Sequence, residues 1–246
     1  MSNLAKARDR IRITPQTSVL LLNPEEAKKV DQLATFSARL CMKTLVNHDF
    51  ETLEQLSHKP AVDNLVHNCI EADHAQLFRL NMIQVLVVGC SRRFLAQITR
   101  HKVGVEFVST SLHFSEWLDP EYINIPEEHQ QYFKDLYLQR NAEVGRDLAG
   151  YCVPQGQLGT LLISATPWEW RHMFQKRTCN RSTAETQLIM EGIRELLAPY
   201  SEVFNCGPRC TYDCCKEMAP CYQGCYDKAK EDKFIHLSVS DRVGEN

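Results

Sequence analysis

Residues 81–91, Asn81-Met82-Ile83-Gln84-Val85-Leu86-Val87-Val88-Gly89-Cys90-Ser91, run straight into Arg92-Arg93-Phe94-Leu95-Ala96-Gln97-Ile98-Thr99-Arg100-His101-Lys102. The first part is rich in β-branched residues and bounded by Gly89, which reads as a buried strand. In the second part Ser91 can cap a helix, with Phe94, Leu95 and Ile98 available to a core. The spacing predicts a helix from Arg92 to about Lys102, on which Gln97 and His101 share a face. A buried strand feeding a capped helix often sets its connecting loop at a ligand crevice. Fold and candidate site therefore meet in this stretch.

Upstream, Pro15 to Leu22 reads as a strand, and Asn23-Pro24-Glu25-Glu26 as a helix start with Asn23 at the cap. A helix is expected over 27–46, with further helices over 51–57 and 61–78. Downstream, 105–115 has strand character and 127–148 reads as a long polar helix. Residues 158–164 fit either a strand or the start of a helix. Pro167 to Lys176 and Ser182 to Leu197 complete the helices, with Asn180 or Ser182 as the second cap. A short strand over 234–239 is also expected. The pattern predicts an α/β (α+β) chain.

The 246 residues suit one domain with an appendage: residues 1–200 as the main domain and 201–246 as a cysteine-rich extension. A formal charge of −3 gives no global drive toward nucleic acid or an anionic membrane, although a local patch can still hold a phosphate. The first ten residues lack the apolar stretch of a signal peptide, and the run 82–90 is too short to span a bilayer. A cytoplasmic location is the expectation, with no membrane partner.

Two polar clusters offer chemistry. Arg100-His101-Lys102 places three donor groups side by side, suited to a phosphate or an electron-rich ring, and Ser109-Thr110-Ser111-Leu112-His113 follows with hydroxyls and an imidazole. The second cluster is 168–181. Helical spacing there groups Trp170, Met173, Phe174 and Arg177 on one face and lets Arg171 approach Gln175, while Asn180 and Arg181 sit in the next turn. The plainer readings stay open beside these: a solvated basic helix end, and a structural helix–turn–helix with aromatics in the core.

These motifs carry a resemblance. Ser91-Arg92, Gln97, Arg100-His101-Lys102 and Ser111-x-His113-Phe114-Ser115 resemble the signature of the flavin-dependent thymidylate synthases. Glu169-x-Arg171-His172, Arg177-x-Cys179-Asn180-Arg181 and Glu185 are similar to that family's second block, and His74 to a histidine of its first. Phe204-x-Cys206-Gly207-Pro208-x-Cys210 is similar to a cysteine-bearing tail in one bacterial branch. The resemblance implies a mixed or antiparallel sheet flanked by helices, and a homotetramer with FAD held at subunit junctions. It further implies methylenetetrahydrofolate as carbon donor, NADPH as reductant and deoxyuridine monophosphate as acceptor. By position, Gln97, Ser111 and His113 would fall toward the nucleotide and reacting atoms. His74, Arg100, His101, Lys102, His172, Arg177 and Arg181 would hold cofactor.

The signature also has departures. Lys102, His113 and Thr160 stand where the family carries arginines, and Phe114 where it carries tyrosine. Arg79-Leu80 replaces a glutamate–histidine pair, and 182–187 lacks the family's final arginine. Each charge-assisted hydrogen bond lost to a dianion costs about 1.5–3 kcal/mol. The departures therefore point to an altered substrate or a lost activity rather than unaltered thymidylate synthesis. A non-catalytic nucleotide-binding relative is the alternative, with a nucleic-acid version not favoured by the acidic balance.

Cysteine is the unusual term in the composition: eleven occur, and Cys206, Cys210, Cys214, Cys215, Cys221 and Cys225 crowd into the tail. They supply enough thiolates for zinc or, less readily, an iron–sulfur cluster. Reduced buried thiols or disulfides are the other possibilities. A metal here would brace the tail, which makes a metal-stabilised assembly protein a third reading.

Overall fold

The computed structural model describes residues 10–42, 49–111, 120–179 and 181–208. Five strands, β1 (Arg10–Arg12), β2 (Ser18–Leu21), β3 (Ile83–Ser91), β4 (Val105–Ser109) and β5 (Leu158–Ala165), form one sheet in the order β1-β2-β3-β5-β4. Every neighbouring pair is antiparallel. The helices are α1 (Pro24–Lys28), α2 (Val30–Cys41), α3 (Phe50–Ser57), α4 (Asp63–Glu71), α5 (Arg92–Ile98), α6 (Glu127–Val144), α7 (Arg146–Ala149), α8 (Pro167–Arg177) and α9 (Ala184–Leu197).

Alternation along the strands decides which face the core covers. Val19, Ile83, Val85, Val87, Leu161, Ile163 and Ala165 are fully buried and join Trp170, Met173 and Phe174 of α8 with Ile189, Met190 and Ile193 of α9 in one cluster. On the opposite face Leu20, Leu86, Leu162 and Val108 lie directly across from one another on four strands, and Val108 is largely exposed. Residues 158–165 are thus a central strand. Its double pairing to β3 and β4 resolves an ambiguity that periodicity alone leaves open.

Several sequence expectations shift in the structure. The helix expected over 27–46 is broken at Lys29 into α1 and α2, and that over 61–78 stops at Glu71 before a short 3-10 turn at Ala75–Phe78. Asn23 does not cap α1. Its Oδ1 accepts the Gln84 N–H at 2.8 Å and its Nδ2 donates to the Met82 carbonyl at 2.9 Å, tying the helix start to β3. The strand expected over 105–115 ends at Ser109. Residues 234–239 lie outside the described residues. Thr183, rather than Ser182, caps α9, its hydroxyl accepting the Thr186 N–H, and Asn180 lies outside the described residues. No helix among the described residues is long and apolar enough to cross a membrane.

Two features deliver the site. At Gly89 the β3–β5 register shifts, and Gly89 takes φ +72. This bulge turns both Cys90 and Ser91 inward, so consecutive residues are buried where alternation would expose one. Ser91 then caps α5, its Oγ accepting the Phe94 N–H at 3.1 Å. Helix α5 ends at Ile98, a turn earlier than expected, so Arg100, His101 and Lys102 belong to the loop that returns to β4.

Candidate functional site

Helix α8 opens with Thr166-Pro167-Trp168-Glu169. The Thr166 hydroxyl accepts the Glu169 N–H at 3.3 Å, and proline occupies the first turn. The 99–104 loop is held against this helix start by the Thr166 N–H, which donates to the Gly104 carbonyl at 2.9 Å. That contact brings His101 onto Glu169, with Nδ1 2.8 Å from Oε1 although 68 positions separate them. One helical turn on, His172 Nδ1 lies 3.2 Å from Glu169 Oε2, and the two imidazoles meet edge to face at 5.3 Å. Arg177 completes the knot by donating its Nε–H to His101 Nε2 at 3.1 Å.

The hydrogen bonds fix where the protons sit. Nε2 of His101 accepts from Arg177, so the ring carries its proton on Nδ1 and donates it to Glu169. Burial raises the Glu169 pKa, but the hydrogen bonds from His101 and His172 outweigh it and hold the carboxyl below its usual value. Arg177 is pulled below its ordinary value, first by burial and then by the like charge of Arg100 nearby. The His101, Glu169 and His172 ligand atoms lie within 4.8 Å of one another, close enough to hold a cation. Arg177 argues against one, because a metal would need the His101 Nδ1 lone pair while Arg177 occupies the other nitrogen. The arrangement is a proton-linked network at a cationic edge.

A second buried polar pair lies at the other end of α5. Glu185, in the first turn of α9, accepts the Ser91 N–H at 2.7 Å and the Ser91 hydroxyl through its other oxygen. Burial raises its pKa, only partly offset by those bonds. Beside it the Cys90 thiol is pushed up to about 12 by burial, so it is an inert packing group. Ser91, Glu185 and Arg93 border a cavity of about 550 Å³ whose other walls include Ile125, Phe133 and Gly156.

The residues singled out from the sequence divide into groups. His101, His172 and Arg177 come together, with Arg100 close to Arg177. Gln97 does not share a face with His101. Its Oε1 accepts the Thr186 hydroxyl of α9 at 3.1 Å. Ser111 lines a separate cavity of about 640 Å³ with Arg92, Thr110 and Arg146. Lys102, His74 and Arg181 are exposed. Arg171 donates to the Val203 carbonyl at 3.2 Å and lies over the Trp168 ring, rather than approaching Gln175.

Cys206 is packed in the core against the Arg171 carbonyl. Cys210, Cys214, Cys215, Cys221, Cys225 and His113 lie outside the described residues. Sequence reasoning gave Glu169 no role of its own, although a glutamate three residues before His172, in the first turn of a Thr-Pro-started helix, was the available signal.

Among the described residues one antiparallel sheet carries a helical layer on its core face, which makes this an α+β fold. The same fold occurs in the crystal structure of thymidylate synthase X from Helicobacter pylori with FAD and dUMP, which is 14% identical and matches at a TM-score of 0.53 over 71% of this chain and 94% of that one. The chain belongs to the thymidylate synthase complementing protein family, the flavin-dependent thymidylate synthases, whose pattern matches residues 24–200. No curated protein matches it in sequence.

Proposed function

We propose that this chain is a flavin-dependent enzyme that passes a one-carbon unit from methylenetetrahydrofolate to a uracil nucleotide, with NADPH reducing the flavin. The observation that carries this reading is the Arg177–His101–Glu169–His172 network. It joins two motif blocks remote in sequence through buried, directional hydrogen bonds. The helix core needs no such network, since Trp170, Met173 and Phe174 already supply the packing of α8.

The donor set fits FAD. Arg100 and Arg177 are neighbouring guanidinium groups, and the one carboxylate in the knot, Glu169, is engaged by two imidazoles. Their remaining N–H groups suit a pyrophosphate or the electron-rich edge of an isoalloxazine. When bound, FAD would supply hydride and one-carbon transfer chemistry. The protein's part is to hold Arg177 in place through His101 and to keep both imidazoles in one tautomer through Glu169. Assembly as a homotetramer accords with a cationic edge that a second subunit would close, and a cytoplasmic location accords with the free cysteines among the described residues. With Lys102, His113 and Thr160 in place of arginines, dUMP or a related uracil nucleotide would be recognised through other residues.

Purified full-length protein should carry or take up flavin and lose its visible flavin absorbance on addition of NADPH. Arg177→Ala should weaken FAD binding about tenfold or more. Protein that neither contains nor binds flavin would overturn the reading. Flavin that is bound and reduced, without any one-carbon transfer to dUMP, would leave the fold's cofactor role and reject this acceptor.

A further inference from the structure

The Ser111 cavity has its own chemistry, apart from the His101 network. It encloses about 640 Å³, enough for a mononucleotide. Its lining includes three consecutive hydroxyl residues, Ser109, Thr110 and Ser111, and two arginines from different helices: Arg92 on α5 and Arg146 on α7. Among the described residues, Asp147 is the one carboxylate on the lining, against two arginines. At the wall stands Tyr151, 87% exposed, an aromatic ring presented to water beside the cations.

Both walls are braced. Thr110 extends the strand pairing beyond β4: its N–H donates to the Thr160 carbonyl at 3.0 Å, and its hydroxyl accepts the Thr160 N–H at 3.3 Å. Gly159 leaves the room this needs, since a Cβ there would fall 2.7 Å from Thr110 Oγ1. The α7 wall is seated by Ala149 and Val153 against Tyr137 and Tyr122, a small core of its own. Thr160 is the position where the resemblance leads one to expect a substrate arginine. Here it is a short, uncharged hydroxyl residue, so a cation for this cavity must come from elsewhere.

We infer that α7 and the turn after it form the specificity wall of a pyrimidine nucleotide pocket, with Arg146 and Arg92 clamping the phosphate and Tyr151 stacking on the base. A phosphate suits two guanidinium groups above hydroxyl donors. An exposed tyrosine supplies a face for any base, which pairs phosphate selection with tolerance of the ring. The inference rests on the proposed nucleotide-dependent function and adds to it the residues that replace the lost arginines.

The test is titration of full-length wild-type protein with dUMP and with deoxyuridine, alongside FAD binding as a separate measurement. Wild type should prefer dUMP. Arg146→Ala should weaken dUMP about tenfold to a hundredfold and leave deoxyuridine unchanged, and Arg146→Lys should recover part of the loss. Tyr151→Ala should weaken both ligands by a similar factor, while Tyr151→Phe behaves as wild type. Arg140→Ala, on the exposed face of α6, serves as the control. Wild-type dUMP affinity in both Arg146→Ala and Tyr151→Ala would overturn the wall assignment. So would a wild-type protein that binds FAD but neither nucleotide nor nucleoside. Absence of FAD binding is a different failure, since it removes the proposed function beneath.

Discussion

Arg177 donates its Nε–H to Nε2 of His101 at 3.1 Å, across 76 positions of sequence. An arginine cannot accept a proton, so this contact orients the imidazole beyond it. With Nε2 occupied, the ring proton must point at Glu169, and the same carboxylate takes the Nδ1 of His172. Removing any one member leaves a buried neighbour with an unmet hydrogen bond.

Glu169→Gln is the sharpest probe of that coupling. The amide keeps one acceptor but turns an N–H₂ toward an imidazole that is also donating, so one of the two contacts must break. Loss of a buried hydrogen bond to a charged group should cost about 1.5–3 kcal/mol, read from urea unfolding. The pH dependence follows from the sign of the shift. Glu169 is held below its ordinary value of 4.5 in the folded state, so its contribution is present above that value and is lost as pH falls through the lowered one. In the variant this acid-limb loss should disappear. An unchanged unfolding midpoint with an unchanged acid limb would show that the network contributes nothing.

Glu185 should behave in the opposite sense. Burial raises its folded pKa above 4.5, so the folded state binds the proton more tightly than the unfolded chain. Stability attributable to this group therefore falls as pH rises from 4.5 through the raised value, and neutral pH is the unfavourable side. Glu185→Gln removes the buried charge while keeping an acceptor for the Ser91 N–H and a donor for its Oγ. The variant should match or exceed wild type in stability at pH 7 and lose the advantage near pH 4.5. A marked destabilisation at pH 7 would mean that the ionised carboxylate is needed at the α5–α9 junction.

How much of this could be read beforehand depended on whether the determinant was local. The strand at 83–91, the Ser91 cap and the aromatic face of α8 follow from side-chain period and capping chemistry within a few residues. The end of α5 at Ile98 does not. Nothing in Thr99-Arg100-His101 breaks a helix, and the loop is set by the Thr166–Gly104 contact from a distant element. For the same reason periodicity pairs Gln97 with His101, whereas its Oε1 meets the Thr186 hydroxyl. Asn23 shows the limit most simply: its sequence context is that of a cap, yet Met82 and Gln84 on the neighbouring strand claim both ends of its amide. The pocket wall of Arg146 and Tyr151 had no motif to announce it, because it depends on a helix packed near a strand end more than thirty positions away.

The bulge at Gly89 gives a last prediction, since the inward turn of Ser91 depends on it. Gly89 adopts φ +72, and a Cβ there would fall 2.0 Å from the Gln16 carbonyl oxygen, a backbone atom held in the β2 approach. Thr17 Oγ1 also donates to the Gly89 carbonyl at 2.8 Å, so neither strand is free to retreat. Gly89→Ala thus adds close approach to left-handed backbone strain, each of about 1–2 kcal/mol or more. Gly145 also has positive φ, at +85, but nothing within 4 Å of its Cβ position. Gly145→Ala therefore bears the backbone term alone. Gly89→Ala should lower the melting temperature by about 6 °C or more, whereas Gly145, at φ +85 and ψ 166, lies in a region essentially restricted to glycine and carries a backbone cost of its own. Only the first should also disturb the Ser91–Glu185 pair, seen as loss of the pH dependence assigned to Glu185. A Glu185 pH dependence that survives unchanged in Gly89→Ala would show that the close contact at Gln16 does not hold the bulge in place.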